Sequence, residues 1–191
     1  SLNFSFLKHN VTNLLKPDNG YYISLYPSLH GTFLGGNNHY GKIDTELRLY
    51  IELFKKIVFA NRVKIGAIHQ FVNFSDTETP IPIYDKFHIG GQTSLRGWTS
   101  PEDYEGGVAY GGLYRILMNS ELRIPIYHPI GIQMFFDLGK IGQDDIFDKT
   151  IRWDMGFGLI VDTGLGPARV DFAFPEGRGK PTVLFSVLYM F

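Results

Sequence analysis

The chain has no cysteine among its 191 residues, which excludes disulfide frameworks, cysteine-ligated zinc and thiol nucleophiles together. Neither sign of charge is in excess. With 18 Lys and Arg against 19 Asp and Glu, the net charge is -1, so electrostatic binding to nucleic acid or to an anionic membrane surface is not expected. Long apolar runs are also missing: no stretch reaches the roughly 18 residues that a transmembrane helix needs. The opening SLNFSFLKHN lacks the basic, apolar, small-residue order of a signal peptide and reads as the inside of a strand, so an exported form of this chain is expected to be a mature or excised piece of something longer. Helical periodicity is almost absent.

What is present is alternation with period two, the mark of strands whose two faces meet different environments. In IRWDMGFGLIVD, Ile151, Trp153, Met155, Phe157, Leu159 and Val161 form one face, and Arg152, Asp154, Gly156, Gly158, Ile160 and Asp162 the other. In YGKIDTELRLYIEL, Ile43, Leu47, Leu49, Ile51 and Leu53 oppose Lys42, Asp44, Glu46, Arg48 and Glu52. Ile116, Met118, Leu122 and Ile124 likewise oppose Arg115, Asn119, Glu121 and Arg123. Turn signals between such segments predict about nine strands, near 2–9, 21–31, 40–53, 57–70, 113–126, 130–140, 151–162, 167–174 and 182–191.

Several of these segments run to ten residues or more, whereas strands in soluble domains average ~5–6 residues and a tilted membrane-crossing strand needs ~9–11. Aromatics stand near the expected strand ends (Tyr21, Tyr22, Tyr40, Tyr50, Tyr127, Trp153, Phe174 and Tyr189), where an aromatic girdle would lie. Links at 54–56, 127–129 and 163–166 are short, while 71–112 is long, the inequality expected between the two sides of a membrane barrel. The fold class is therefore read as all-β, a transmembrane antiparallel β-barrel. Alternation alone also fits a soluble sandwich, with the apolar face turned inward.

Enzyme constellations are weak. The six histidines (His9, His30, His39, His69, His88 and His128) lie apart without metal spacing, and Ser94 and Ser100 sit in no G-x-S-x-G elbow. No catalytic residue, metal site or cofactor is read from the sequence.

The segment FHIGGQTSLRGW starts as a strand and ends as a glycine-flanked loop with one cation, Arg96. Two glycines, then serine, leucine, arginine, glycine and an aromatic, here Gly90, Gly91, Ser94, Leu95, Arg96, Gly97 and Trp98, are followed in order by GGLYRILMNSELRIPI, GIQMFFDLGKIG, GFGLIVDTGLGPARVDFAFP and the terminal VLFSVLYMF. Together these blocks resemble the C-terminal part of the BamA/TamA superfamily, the bacterial surface antigen family of outer-membrane assembly factors. The resemblance covers residues 87–191 well; LKPDNGYYISLYPSLHG and YGKIDTELRLY upstream are less specific.

The resemblance implies that residues 1–191 are the C-terminal part of an outer-membrane barrel domain, about eight to nine strands of a sixteen-stranded barrel. It implies that 71–112 is a long extracellular loop folded into the lumen. A buried guanidinium needs anionic acceptors, and its planar fork suits two of them. Glu121 and Asp137 occupy the charged faces of adjacent predicted strands, and the family holds its motif arginine with acids at these positions, so Arg96 is expected to pair with both. Without the resemblance, a surface arginine and two solvated acids that never meet would be the preferred reading.

In the terminal strand 182–191, Val183, Phe185, Val187, Tyr189 and Phe191 share a face. The family likeness implies an assembly signal at Val187, Tyr189 and Phe191, although Ser186 replaces the usual glycine and Leu184 the usual polar residue. The implied function is non-enzymatic insertion or translocation of other outer-membrane proteins from the bacterial outer membrane, with client strands pairing at the seam. Implied partners are outer-membrane lipid, client outer-membrane proteins, and periplasmic or lipoprotein components of an assembly complex. Two alternatives remain open: the barrel anchor of a patatin-like or other surface enzyme, and a stand-alone small outer-membrane barrel.

Overall fold

A computed structural model of the chain describes residues 1–11, 13, 15–36, 38–54, 56–71, 81–99, 111–142, 151–164 and 166–191. Of the long loop expected at 71–112, the stretches 72–80 and 100–110, Ser100 among them, lie outside the described residues.

Ten strands form one antiparallel sheet: β1 (Leu2–Asn3), β2 (Phe6–His9), β3 (Gly20–His30), β4 (Tyr40–Glu52), β5 (Val58–Gln70), β6 (Tyr114–Tyr127), β7 (Ile130–Gly142), β8 (Arg152–Thr163), β9 (Gly166–Pro175) and β10 (Thr182–Val187). From β3 onward each strand pairs with the next, while β1 and β2 both lie on the outer edge of β3. The segment expected as one strand at 2–9 is thus split. Leu2↔Leu29 and Phe6↔Leu25 belong to the same register, so the break is local. It falls opposite Pro27, which accepts from the Phe4 N–H at 3.0 Å but has no N–H to return.

The strands from β4 to β8 are 12 to 14 residues long, enough to cross a bilayer at a tilt. Their two faces invert the soluble pattern. On the outer face Ile43, Leu47, Ile65, Met134, Phe157 and Phe185 are between 43% and 64% exposed. On the inner face Arg62, Asn119, Glu121, Arg123, Gln133, Asp137, Asp154, Arg169 and Asp171 are all at most 4% exposed. Charges packed inside and aliphatics shown outside suit a wall between lipid and a polar lumen, not a sandwich.

The girdle needs correction at four positions. Tyr40 and Tyr50 are buried on the inner face of β4, Tyr22 pairs across to the inward Arg48, and Tyr189 lies inside. Parity decides this: even-numbered β4 residues face the lumen whatever their chemistry. Exposed Tyr127 and Phe174 remain on the outer side.

Candidate functional site

The lumen is filled by the segment 81–99. It enters through a two-way backbone bridge, Phe87 N–H to Gly112 O at 2.9 Å and Gly112 N–H to Phe87 O at 2.8 Å. Beyond it Gly90 and Gly91 adopt φ of 116° and 87°, values a side chain would oppose, and so reverse the chain. Ser94 pins that reversal: its Oγ accepts from Gly90 N–H and donates to Gly90 O, both at 2.7 Å. Leu95 and Trp98 then pack with Ile89, Leu117 and Ile141 against β6 and β7. Arg152 and Arg178 flank the Trp98 ring at 5.0 and 4.6 Å.

This turn delivers Arg96 to the strand wall, where it is fully buried. Its Nε and Nη2 donate to the two oxygens of Asp137 at 2.7 and 2.9 Å, a bidentate fork, and its Nη1 donates to Glu121 Oε1 at 2.8 Å. The guanidinium carbon lies 3.6 Å from the centroid of the Phe135 ring, so edge and face are both occupied. Burial opposes the charge, but Asp137 and Glu121 outweigh it and hold the arginine pKa above its ordinary value. The structure therefore brings Arg96, Glu121 and Asp137 together. Gly97 beside them has no room for a side chain: a Cβ there would stand 2.7 Å from the Asp154 Cβ and 2.9 Å from the Pro175 Cβ.

Five participants were not anticipated from the sequence. Glu121 also accepts from Arg123 Nε at 2.9 Å and lies 3.5 Å from Arg169 Nη1. Asp171 stands 3.8 Å from Arg96 Nη1 and 3.4 Å from Arg169 Nε. Asn119 donates to Asp137 Oδ1 at 2.8 Å and to the loop carbonyl of Ser94 at 2.6 Å. Arg62 donates to Asn119 Oδ1 and to Thr93 O, each at 2.6 Å. For Arg62 and Asn119 the signal was register: Arg62↔Asn119, Asn119↔Asp137 and Asp137↔Asp154 make one polar row across four strands.

The end of the chain departs from the expected strand 182–191. β10 stops at Val187, whose side chain faces outward, and Leu188 takes φ of 76°. Tyr189 and Phe191 then turn into the lumen instead of continuing the outer face. The inner face offers what lipid cannot: Arg62 donates to Met190 O at 3.3 Å, Arg123 donates to Phe191 O at 3.1 Å, and the Arg123 guanidinium sits 3.8 Å from the Tyr189 ring centroid. Phe191 packs with Val11, Tyr50, Ala60 and Met190. Among the described residues, no group of three or more histidine or acidic side chains could hold a metal ion.

An Omp85 superfamily domain matches residues 1–182. The outer membrane protein assembly factor BamA of Nitratidesulfovibrio vulgaris is 26% identical over 186 residues, covering 92% of this chain and 23% of that protein. The sorting and assembly machinery component 50 homolog of Bos taurus is 32% identical over 199 residues, covering 93% of this chain and 41% of that protein. In fold, the chain is similar to the crystal structure of BamA from Haemophilus ducreyi lacking POTRA domains 1–3, with a TM-score of 0.77 at 20% identity over 96% of this chain and 40% of that one. The chain thus spans less than half the length of these relatives.

Proposed function

The chain belongs to the Omp85 superfamily and is an integral outer-membrane β-barrel segment, and from that premise we propose that it supplies the seam strand of a barrel that inserts or translocates other outer-membrane proteins. The whole protein works without covalent chemistry. A client strand pairs with the backbone of β10, and the Arg96 loop braces the lumen behind it. Lipid, client barrels, and periplasmic or lipoprotein components of an assembly complex are its partners. The assembly-factor names of the relatives support this reading over the anchor of a surface enzyme.

The observation that carries it is the outer edge of β10. Leu188 N–H donates to Pro167 O, so even-numbered residues of β10 bond β9, and the backbone groups of Val183, Phe185 and Val187 point to the open side. Proteins usually guard such an edge with charge, proline or brevity. The β10 run TVLFSV carries no charge and no proline, an invitation to strand addition.

A proline tests the edge without touching the sheet. Phe185→Pro removes a donor that faces outward, whereas Leu184→Pro removes one that bonds β9. In lipid vesicles carrying the full-length protein, Phe185→Pro is expected to slow insertion of an unfolded small barrel about fivefold, the worth of one hydrogen bond of roughly 1 kcal/mol. The variant itself should migrate as a folded barrel on unboiled gels, and Leu184→Pro should not. Insertion at the unmodified rate by folded Phe185→Pro would rule out client pairing at this edge.

A further inference from the structure

The open edge of β10 is not bare. Phe185 O, the central acceptor on that edge, receives a hydrogen bond of 2.9 Å from Gln92 Nε2 in the lumen loop. The parity of the ladder makes this contact unusual. Trp153 O accepts from Glu176 N–H, so even residues of β9 bond β8 and odd ones bond β10, through pairs such as Ser186↔Arg169 and Leu184↔Asp171. Among the described residues Phe185 therefore has no sheet partner for its carbonyl, and the donor that reaches it comes from a side chain 93 positions earlier.

A primary amide is the side chain nearest in chemistry to a peptide group, with a donor and an acceptor on one plane. Gln92 stands where the N–H of a neighbouring strand would stand. It is also held there. The next residue, Thr93, gives its carbonyl to Arg62, whose Nη1 binds Met190 O beyond the end of β10, and Gly97 O accepts from Thr182 Oγ1 at 3.1 Å at the start of β10. The loop therefore grips β10 at both ends, through groups that face the lumen, and in the middle through an acceptor that faces the seam.

We propose that Gln92 is a competing cap on the seam edge: it occupies the Phe185 carbonyl when no strand is bound and yields it to the backbone N–H of an incoming strand. The cap sets the threshold for strand capture and favours segments that present a donor in the Phe185 register. This rests on the seam reading above.

These 191 residues contain no cysteine, so once any cysteine elsewhere in the whole protein is replaced by serine, one introduced thiol reports alone. Val183→Cys, on the open edge, is placed in the full chain reconstituted in detergent micelles. The probe is a synthetic peptide with the sequence of residues 182–191 and one added cysteine, and disulfide capture is measured under mild oxidation. In this background Gln92→Leu and Gln92→Glu, which cannot donate, are expected to capture the peptide about three- to fivefold more than the parent, as loss of one exposed hydrogen bond implies. Gln92→Lys retains a donor and is expected to match the parent. Gln92 is exposed and its side-chain amide bonds Phe185 O, whereas Arg96 is buried on Asp137 and Glu121, so all variants should remain folded on unboiled gels. Equal capture by parent and all variants would overturn the cap and leave the seam reading standing. Lower capture in Gln92→Leu would also overturn it, because the side chain would then be holding the edge in place for the strand. No capture by any folded variant would overturn the seam reading, and the cap with it.

Discussion

Arg96→Ala is expected to lower barrel stability by about 3–5 kcal/mol, the cost of breaking a buried ion pair and leaving its acids uncompensated. Among the described residues, the lumen wall and loop bury four arginines, Arg62, Arg96, Arg123 and Arg169, and the ion pairs of Arg96, Arg123 and Arg169 run to three buried acids, Glu121, Asp137 and Asp171. Removing one cation strands Asp137, whose two oxygens Arg96 alone forks. Arg96→Lys keeps the charge but loses both the fork and the stacking on Phe135, and should fall between alanine and the unmodified chain. The readouts are the folded fraction on unboiled gels and the urea midpoint in detergent. Partner variants then separate the two acids. Arg96→Met with Asp137→Asn should lose less than the sum of the single changes, since the pair is removed as a unit. Arg96→Met with Glu121→Gln should show less recovery, because Arg123 and Arg169 also depend on Glu121. An unchanged folded fraction in Arg96→Ala would mean that the loop is not docked through this residue.

That asymmetry marks what a sequence can and cannot disclose here. Period-two alternation gave the strand positions to within one or two residues at most ends, because a face exposed to lipid must be apolar along its whole length. Glu121 and Asp137 were legible because hairpin parity puts both on the inner face and the family resemblance implies that the motif arginine is held by acids at these positions. Which oxygen each arginine takes was not, since that depends on register across several strands. Arg62 shows the limit. It binds the carbonyls of Thr93 and Met190, and a backbone acceptor leaves no trace in residue identity. The end of β10 was misjudged for a related reason. Tyr189 and Phe191 continue the apolar parity of Val183, Phe185 and Val187, yet cation contacts on the inner face and two carbonyl acceptors draw them through the wall. The early tyrosines misled in the same way, because an aromatic ring serves a girdle and a cation-rich lumen equally well.

Gly66→Ala is expected to be nearly as damaging as the loss of Arg96, although it removes no interaction. Gly66 lies on the inner face of β5, and a Cβ there would collide with the Phe87 ring Cζ and stand 2.6 and 2.8 Å from its Cε1 and Cε2. That ring is buried with Tyr40, Ile68 and Ile81, and Lys42 and Arg115 lie 4.8 and 4.7 Å from its centroid. It anchors the stem from which the Arg96 turn departs, so a displaced ring carries the Phe87–Gly112 bridge with it. Overpacking costs about 1–3 kcal/mol, and full expulsion of the ring approaches the 3–5 kcal/mol of a Phe→Ala change. The three nearest obstacles belong to one side chain, so the damage should be repairable. Phe87→Ala alone is expected to destabilise, but Gly66→Ala with Phe87→Ala should be less harmful than the sum, with a coupling of about 1–3 kcal/mol in urea midpoints. Strict additivity would place the ring elsewhere than over Gly66. Limited proteolysis supplies the functional half of the cycle: the loop should be cut faster in Gly66→Ala than in the double variant, because a methyl group at 66 and an absent ring at 87 leave the stem free to pair with Gly112 again.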